Sequence, residues 1–368
     1  MNDSINHLTD LNDSITVSMN TLVNNVIYNT YTVKDALWVL NDLGVASNVL
    51  FIVDENNQLF GTLTDGDIRR GLLEDLDVKS PAVLAANTNF KFIRDDCNTA
   101  QKVKQYKQEG IRFVPLLDEN NVLLSVLDLH LSLGFLPVNA VIMAGGKGQR
   151  LMPLTANIPK PMLKVGTKPI LEHNIDRLVK FGITNIHISI NYLGHIITNY
   201  FDNGSSKNIN IQYLEETKPL GTIGSVKLTD KYERDYILLM NSDLLTDINF
   251  EDFFTQFVES KADMSVATIP YNIDIPYAVL ETNKENTVLA LSEKPRYTYF
   301  SNAGIYLFKK QLLDMIPCDE FYNATDLMEA VIEQGKKLIT FPILGYWLDI
   351  GRINDYLKAQ EDIKHLQF

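Results

Sequence analysis

The tetrapeptide Asp54-Glu-Asn-Asn57 recurs unchanged as Asp118-Glu-Asn-Asn121, and this internal repeat constrains the first third of the chain more than any other feature. In each copy the tetrapeptide lies between two apolar runs of strand length, within Ile52–Thr64 and within Leu116–Asp128. A turn-rich tetrapeptide between such runs predicts a β-hairpin. A helical stretch precedes each hairpin: Val33, Leu37, Leu40 and Leu43 recur at helical spacing in the first copy, and Ala100, Val103 and Tyr106 in the second. The N-terminal part therefore reads as a tandem pair of helix-plus-hairpin modules, with copies over about residues 16–76 and 77–136.

The run Leu133-Gly-Phe-Leu-Pro-Val138 closes that part, because Gly134 and Pro137 interrupt the pattern before a new one begins. The domains are thus expected over 1–136 and 137–368. From Val138 strands and helices alternate: strand at Asn139–Ala144, helix at Ile170–Phe181, strand at Asn185–Ile190, helix at Ile196–Phe201, and strands at Ile209–Tyr213 and Tyr236–Met240. The alternation predicts an α/β domain, a mostly parallel sheet with helices on both faces. Ligands of such sheets bind at the carboxyl ends of the strands.

A chain of 368 residues has room for two domains with cores of their own. Its 33 Lys and Arg against 46 Asp and Glu give a net charge of −13, which repels nucleic acid and anionic lipid. Neither partner is expected, although a local basic cluster can still grip a small anion. Cys97 and Cys318 are too few and too far apart for a disulfide framework or a metal set, and both read as packing residues of a reduced chain. The start Met1-Asn2-Asp3-Ser4 lacks a leader pattern and no 18-residue apolar run occurs, so a soluble, cytoplasmic protein is expected. The six histidines, among them His173, His187 and His195, show no ligand spacing, and Phe253-Phe254 on a helix over Glu251–Val258 reads as core.

The chemistry concentrates in Ala144-Gly-Gly-Lys-Gly-Gln-Arg-Leu-Met-Pro-Leu-Thr, followed by Pro159-Lys-Pro161, directly after a strand. Gly145, Gly146 and Gly148 let main-chain N–H groups close on a phosphate or a base, because no Cβ blocks the approach. Arg150 and Lys160 add fixed positive charge. The spacing fits neither a Walker A loop nor a dinucleotide-binding fingerprint.

This string resembles the signature of the sugar-1-phosphate nucleotidyltransferases. The resemblance continues in order through Pro219-Leu-Gly-Thr-Ile-Gly-Ser225, Asn241-Ser-Asp243, Ser292-Glu-Lys-Pro295, Ser301-Asn-Ala-Gly-Ile-Tyr306 and Tyr346-Trp-Leu-Asp-Ile-Gly351. It implies a Rossmann-like nucleotidyltransferase fold and transfer of a nucleotidyl group from a nucleoside triphosphate to a sugar 1-phosphate with release of pyrophosphate. It further implies Arg150 and Lys160 on the triphosphate, Asp243 and Asp349 on one Mg²⁺, and Ala144, Gly145, Gly146, Gly148, Glu216, Pro219 and Gly221 around the nucleotide. Lys294 falls to the sugar's phosphate, Glu293 and Asn302 to the sugar, and Ala278 to a position where the family more often has glycine, so that its methyl narrows the pocket. Pro295 is expected to keep Lys294 in extended chain. Gln149 and Ser242 replace the family's usual threonine and glycine without removing a charge.

The same resemblance implies that Glu216, three residues before Pro219, stands at the position of the base-reading residue. Guanine presents two adjacent donors that one carboxylate can accept, whereas uracil and thymine suit an amide, so GTP is the expected donor. The alternative is that Glu216 or its neighbour Glu215 is merely an exposed acid.

The segment Gly61-Thr-Leu-Thr-Asp-Gly-Asp-Ile-Arg-Arg70 makes the N-terminal repeat resemble a CBS-domain pair, an α+β module in which Thr64 and Asp67 would face the ribose and phosphate of a regulatory nucleotide. The second copy has Asp128 in place of Thr64 and no second Asp-Gly-Asp, so one pocket at most is complete, and a spacer or dimerisation role is the alternative. Such pairs associate, which favours a homo-oligomer. A CBS pair fused to this transferase most resembles the bacterial glucosamine-1-phosphate guanylyltransferases that serve nonulosonic-acid (legionaminic-type) surface glycans. Two rival readings stay open: another base and sugar, or a nucleotide-sugar sensor without turnover.

Overall fold

A computed structural model describes residues 25–44, 48–94, 99–129, 134–207 and 209–366. Met1–Ser4, the start of the first repeat copy, Cys97 and Leu133 lie outside the described residues, as does the side chain of Ala100. The chain forms two compact units: one of residues 1–137 with 179–184 and 201–211, the other of the remaining residues from Val138 onward.

In the first unit, β1 (Val26–Tyr28), helix α1 (Val33–Leu43), the hairpin β2 (Val49–Val53) with β3 (Leu59–Thr64), and α2 (Asp65–Leu73) make one module. β4 (Ile93–Arg94), α3 (Thr99–Gln108), and the hairpin β5 (Phe113–Leu117) with β6 (Leu123–Asp128) make the second. Each module is a three-stranded sheet with the same strand order, one parallel and one antiparallel pairing, and a bulge at the same place before the turn.

The repeated tetrapeptide explains the match. Asp54 Oδ1 accepts from the N–H groups of Asn56 and Gln58, and Asp118 Oδ1 accepts from those of Asn120 and Val122. Asn57 and Asn121 both take the left-handed conformation, at φ 58° and 62°, which asparagine tolerates. The two turns then bond to each other reciprocally, Leu59 N–H to Asn121 O and Leu123 N–H to Asn57 O, so a pseudo-twofold axis runs between the hairpins. Phe51, Val53, Leu59, Leu117, Leu123 and Val126 fill a shared core around that axis.

The second unit is built on a seven-stranded sheet in the order β11 (Asn210–Glu215), β10 (Asn185–Ile190), β7 (Val138–Met143), β12 (Tyr236–Asn241), β17 (Arg296–Lys309), β14 (Met264–Asp274) and β18 (Leu338–Pro342). Its chain runs β7 (Val138–Met143), a short β8 (Lys164–Val165) and β9 (Lys168–Pro169) pair, α4 (Ile170–Lys180), β10 (Asn185–Ile190), α5 (Gly194–Phe201), β11 (Asn210–Glu215) and β12 (Tyr236–Asn241). It continues through β13 (Leu244–Thr246), α6 (Phe250–Glu259), β14 (Met264–Asp274), the hairpin β15 (Val279–Thr282) with β16 (Val288–Ser292), and β17 (Arg296–Lys309). Last come α7 (Ala324–Glu333), β18 (Leu338–Pro342), β19 (Trp347–Asp349) and α8 (Ile353–Asp362). β10, β7 and β12 pair in parallel, as do β14 and β18, while β17 runs against both β12 and β14. The sheet is mostly parallel, as expected, and the reversed strand β17 is the addition that local pattern did not indicate.

Helices cover both faces of the sheet. Ile237 and Leu239 of β12 share a core with Ala324, Leu327 and Val331 of α7. Tyr236, one residue out of phase, packs edge-on against Phe254 and Phe257 of α6, with ring centroids 5.3 and 5.8 Å apart. The period-two alternation of a strand buried on both sides thus assigns neighbouring residues to opposite layers. Phe253 and Phe254 are core residues, as read from sequence. Cys318 is not: it is exposed in the irregular stretch before α7, where no apolar layer covers it.

Candidate active site

The glycine loop leaves the carboxyl end of β7, where Ala144 N–H still bonds Ser189 O of β10. Gly148 takes φ +60°, and a Cβ there would stand 2.9 Å from Lys160 Cβ and 3.1 Å from Thr155 Cγ2. Only glycine fits, and its absent side chain lets the loop close on the Lys160 and Thr155 side chains. Thr155 Oγ1 donates to Gly148 O at 2.9 Å, and Tyr192 donates to Ala156 O at 3.0 Å, so the loop is anchored on both sides. Gly146 has open space around it, and Gly145 and Gly146 remain accessible to a ligand.

Beneath this loop Leu151, Leu163, Leu245, Leu348, Ile350 and Ala359 form one apolar cluster. It joins the segment after Arg150 to β13, β19 and α8. β13 pairs antiparallel with β19, Leu244 opposite Asp349, and Ile350 N–H bonds Asp243 O at 3.0 Å. Asp243 and Asp349, 106 positions apart in sequence, are thereby brought to one place (349 − 243). Lys160, only 9% exposed, sits between them: its Nζ donates to Asp243 Oδ2 and lies 3.8 Å from Asp349 Oδ1. Arg150 closes the same corner, its guanidinium nitrogens 3.6 Å from the point where a Cβ on Gly351 would stand.

Burial and the neighbouring Asp243 charge push the Asp349 carboxyl above the usual carboxylate range, against the opposing pull of Lys160 and Arg150. Asp243 Oδ1 and Asp349 Oδ1 are both buried without a hydrogen-bond partner, although the Asp349 side chain as a whole is half-exposed. Two carboxylate oxygens left unsatisfied side by side form a donor set that suits a hard divalent cation, for which one or two protein carboxylates completed by phosphate and water are typical. The two aspartates therefore fit a magnesium ion. Among the described residues no cluster of three or more His, Cys, Asp and Glu offers an all-protein metal cage.

Glu216 follows β11 and comes against the glycine loop: a Cβ on Gly145 would lie 3.0 Å from Glu216 Oε1. Ser189 Oγ donates to Oε1 and Leu220 N–H to Oε2, the latter at 3.1 Å. Asn191 Nδ2 also holds the Glu216 backbone carbonyl at 2.8 Å. Each carboxylate oxygen keeps a second acceptor position, so the group is aimed and not used up. Gly221, at φ +80°, brings the following loop to within 2.4 Å of Tyr322 O, measured from an added Cβ. Pro219 is exposed beside it.

Three residues that sequence reading passed over support this site. Ser189 and Asn191 set Glu216, and the buried Asn174 of α4 donates to Ser242 O at 3.1 Å, fixing the turn that carries Asp243. The available signal was polarity at the end of an apolar strand, in Ile186-His-Ile-Ser-Ile-Asn191.

The residues expected at the sugar are less assembled. Asn302 is engaged at both ends, accepting from Gly304 N–H at 2.9 Å and donating to the Tyr306 hydroxyl at 2.8 Å. Ala278, Glu293 and Lys294 are exposed on the β15–β16 hairpin and the turns flanking it. Lys294 is not extended: it takes φ 45°, because the chain must reverse there so that Ile275 N–H can reach Pro295 O at 3.1 Å.

In the first unit Thr64 and Asp67 form a reciprocal capping box on α2. Thr64 Oγ1 donates to Asp67 Oδ2 at 2.6 Å, Asp67 N–H bonds back to Thr64 Oγ1 at 3.2 Å, and Asp67 also pairs with Arg70. Asp128 of the second copy pairs with Arg112 at 3.0 Å.

Residues 139–365 match the Nucleotidyl transferase family, and the chain belongs to it. A mannose-1-phosphate guanylyltransferase of Mycobacterium tuberculosis is 29% identical over 231 residues, covering 61% of this chain and 64% of the relative. The bifunctional protein GlmU of Methanococcus aeolicus is 33% identical over 233 residues, covering 61% of this chain and 54% of the relative. The chain thus spans less than two thirds of the length of these curated relatives. A crystal structure from Bacillus anthracis, assigned as a glucose-1-phosphate thymidylyltransferase, superposes with a TM-score of 0.51 at 21% identity, covering 63% of this chain and 97% of that one. That likeness supports the α/β nucleotidyltransferase fold. Among the described residues no helix is long and apolar enough to cross a membrane.

Proposed function

We propose that the protein transfers a nucleotidyl group from a nucleoside triphosphate to a sugar 1-phosphate. The observation that carries this reading is the convergence of Arg150, Lys160, Asp243 and Asp349 beside an open glycine loop at the carboxyl ends of β7 and β12. A phosphate oxygen of the sugar phosphate attacks the α-phosphorus. A new P–O bond forms, the bond to the β-phosphate oxygen breaks, and pyrophosphate leaves with that electron pair. The nucleophile is ionised at neutral pH, so the protein supplies alignment and charge neutralisation and needs no general base.

Backbone N–H groups at Gly145 and Gly146 receive the nucleotide, and Lys160, held by the two carboxylates, keeps its ammonium fixed as negative charge moves onto the leaving group. Arg150 offers the bidentate geometry that a phosphate accepts. Asp243 and Asp349 would hold a magnesium ion, which when bound neutralises phosphate charge.

The donor we assign is GTP, supported by the Glu216 carboxylate held against Gly145 and by guanylyltransferases among the relatives. The acceptor we assign is glucosamine 1-phosphate, with the product serving surface-glycan synthesis. Its support is the likeness of the fused repeat to a CBS pair, which we read as a regulatory or assembly module of a homo-oligomer. Pyrophosphate release tests the assignment, with GTP, UTP, dTTP, CTP and ATP each crossed against hexosamine, hexose and heptose 1-phosphates. Release with GTP and glucosamine 1-phosphate is expected. Another productive pair would replace the base and sugar, and no release with any pair would favour a sensor that binds nucleotide sugar without turnover. Within the productive pair, Glu216→Gln is expected to lower the preference for GTP by about 1.4–2.8 kcal/mol, or roughly 10-fold to 100-fold in kcat/KM ratio.

A further inference from the structure

The Glu216 carboxylate is held by two donors of different kinds. Leu220 N–H donates to Oε2 at 3.1 Å, and the hydroxyl of the fully buried Ser189 donates to Oε1. The Glu216 backbone is fixed as well, its N–H on Ile190 O at 2.9 Å and its carbonyl on Asn191 Nδ2 at 2.8 Å. What freedom remains lies in the side-chain torsions, and the two donors take it up. Oε1 lies 3.0 Å from the point where a Cβ on Gly145 would stand, so the missing side chain leaves that oxygen open to the glycine loop.

A backbone N–H only donates, whereas a hydroxyl donates or accepts according to how it is turned. Toward Leu220, residue 216 must therefore present an oxygen; toward Ser189 it can present an oxygen or a nitrogen. A carboxylate presents oxygen to both, and the second acceptor position of each oxygen stays in the carboxylate plane. Two acceptors in one plane match the adjacent N1–H and N2–H donors of guanine, and they repel the acceptor oxygens beside the single donor of uracil. An amide in the same seat would be turned one way only, with its oxygen on Leu220 and its nitrogen on a reversed Ser189 hydroxyl. Such an acceptor–donor pair suits uracil.

Resting on the assignment of GTP to this site, we propose that Ser189 sets base choice through Glu216. Its hydroxyl holds the carboxylate in the plane that reads the two donors of guanine, and its capacity to reverse makes the seat convertible to an amide that reads uracil. Ser189 acts through Glu216 and is a positioning residue.

Isothermal titration calorimetry of the full chain with GTP, inosine triphosphate and UTP tests the proposal, because inosine triphosphate keeps the N1–H of guanine and lacks its 2-amino group. Wild type is expected to bind GTP roughly 10-fold more tightly than inosine triphosphate, as for one hydrogen bond to a charged group. In Ser189→Ala that ratio is expected to fall toward one. Glu216→Gln is expected to move affinity from GTP to UTP, and Ser189→Ala added to it to remove the UTP gain, since no acceptor then holds the amide nitrogen. A Ser189→Ala variant that keeps the ratio of GTP to inosine triphosphate, or that weakens all three nucleotides by one factor as a merely structural residue would, overturns the proposal and leaves the guanine reading standing. So does a Glu216→Gln variant that gains nothing for UTP, or whose gain survives in the double variant. Wild type that binds inosine triphosphate as tightly as GTP overturns both. Should Ser189→Ala lose its native circular dichroism, Ser189→Cys, which keeps only a weak donor, takes its place with the same fall in ratio expected.

Discussion

Asp349 shows what it costs to hold one carboxylate beside another in a partly buried corner. Its pKa lies above the usual range because burial and Asp243 disfavour its charge. A folded-state pKa above the unfolded value means that the native state holds the proton longer, so stability falls as pH rises through the folded pKa. In metal-free protein the ionised form of Asp349 is therefore destabilising. Asp349→Asn is expected to raise Tm in the presence of a chelator while lowering kcat roughly 10²–10³-fold, and a lower Tm for this variant would contradict the electrostatic account. Gly148 carries the opposite kind of constraint, steric instead of electrostatic. Gly148→Ala places a methyl 2.9 Å from Lys160 Cβ at a left-handed φ, and a Cβ is fixed to its backbone and cannot swing away. The expected result is a loss of roughly 1–3 kcal/mol in stability and about 10²-fold in kcat, read by thermal unfolding and pyrophosphate release. Both residues were visible in the sequence, as motif members. The reach of Ser189 and Asn191 to Glu216, and of Asn174 to Ser242, was not, because a side chain's aim across strands is set by tertiary packing and leaves no local period.

At the scale of elements, sequence periodicity located β7, α4, β10, α5, β11 and β12 to within about two residues, because each carries its own hydrophobic pattern and its own stops. What it did not carry was pairing between distant segments: β17 reversed between β12 and β14, and β13 set against β19 so that two aspartates meet. Such pairings depend on which edges remain open once the local elements exist. The repeat in the first unit was legible for the converse reason, since its turns are made by side chains bonding their own backbone within four residues. α2 shows how a functional candidate and a structural device coincide. Thr64 and Asp67, read as nucleotide contacts, already satisfy the free N–H groups at the helix start. Thr64→Ala is expected to cost about 1 kcal/mol, and Thr64→Ser to restore it, in chemical denaturation with no nucleotide present. An unaltered midpoint for Thr64→Ala would show the box to be dispensable and leave the pair free for a ligand.

For the molecule as a whole, stability against pH joins two groups of opposite sign in the same unit. His187 lies on β10, next to the edge strand of the seven-stranded sheet, yet is only 2% exposed, its ring 4.7 Å from that of Tyr232. Burial pushes its imidazole below the ordinary histidine value, against smaller opposing contacts from the Ala140 backbone and Gln212. Here the unfolded state takes the proton first, at about pH 6.5. Stability is therefore complete above that pH and declines as pH falls toward the folded pKa, by at most about 1.4 kcal/mol per pH unit, or ~3–6 °C in Tm for a unit of this size. Asp349 works the other way, relieving the fold as it takes up its proton from above the ordinary carboxylate range. On the acid side of the stability curve the two contributions therefore oppose each other. His187→Phe, which keeps a ring and removes the titration, is expected to abolish the fall below about pH 6.5 and leave the relief, whereas Asp349→Asn abolishes only the relief. Thermal unfolding from pH 8 to pH 4 in chelator separates the two, and a fall below that pH that survives in His187→Phe would place the controlling proton elsewhere.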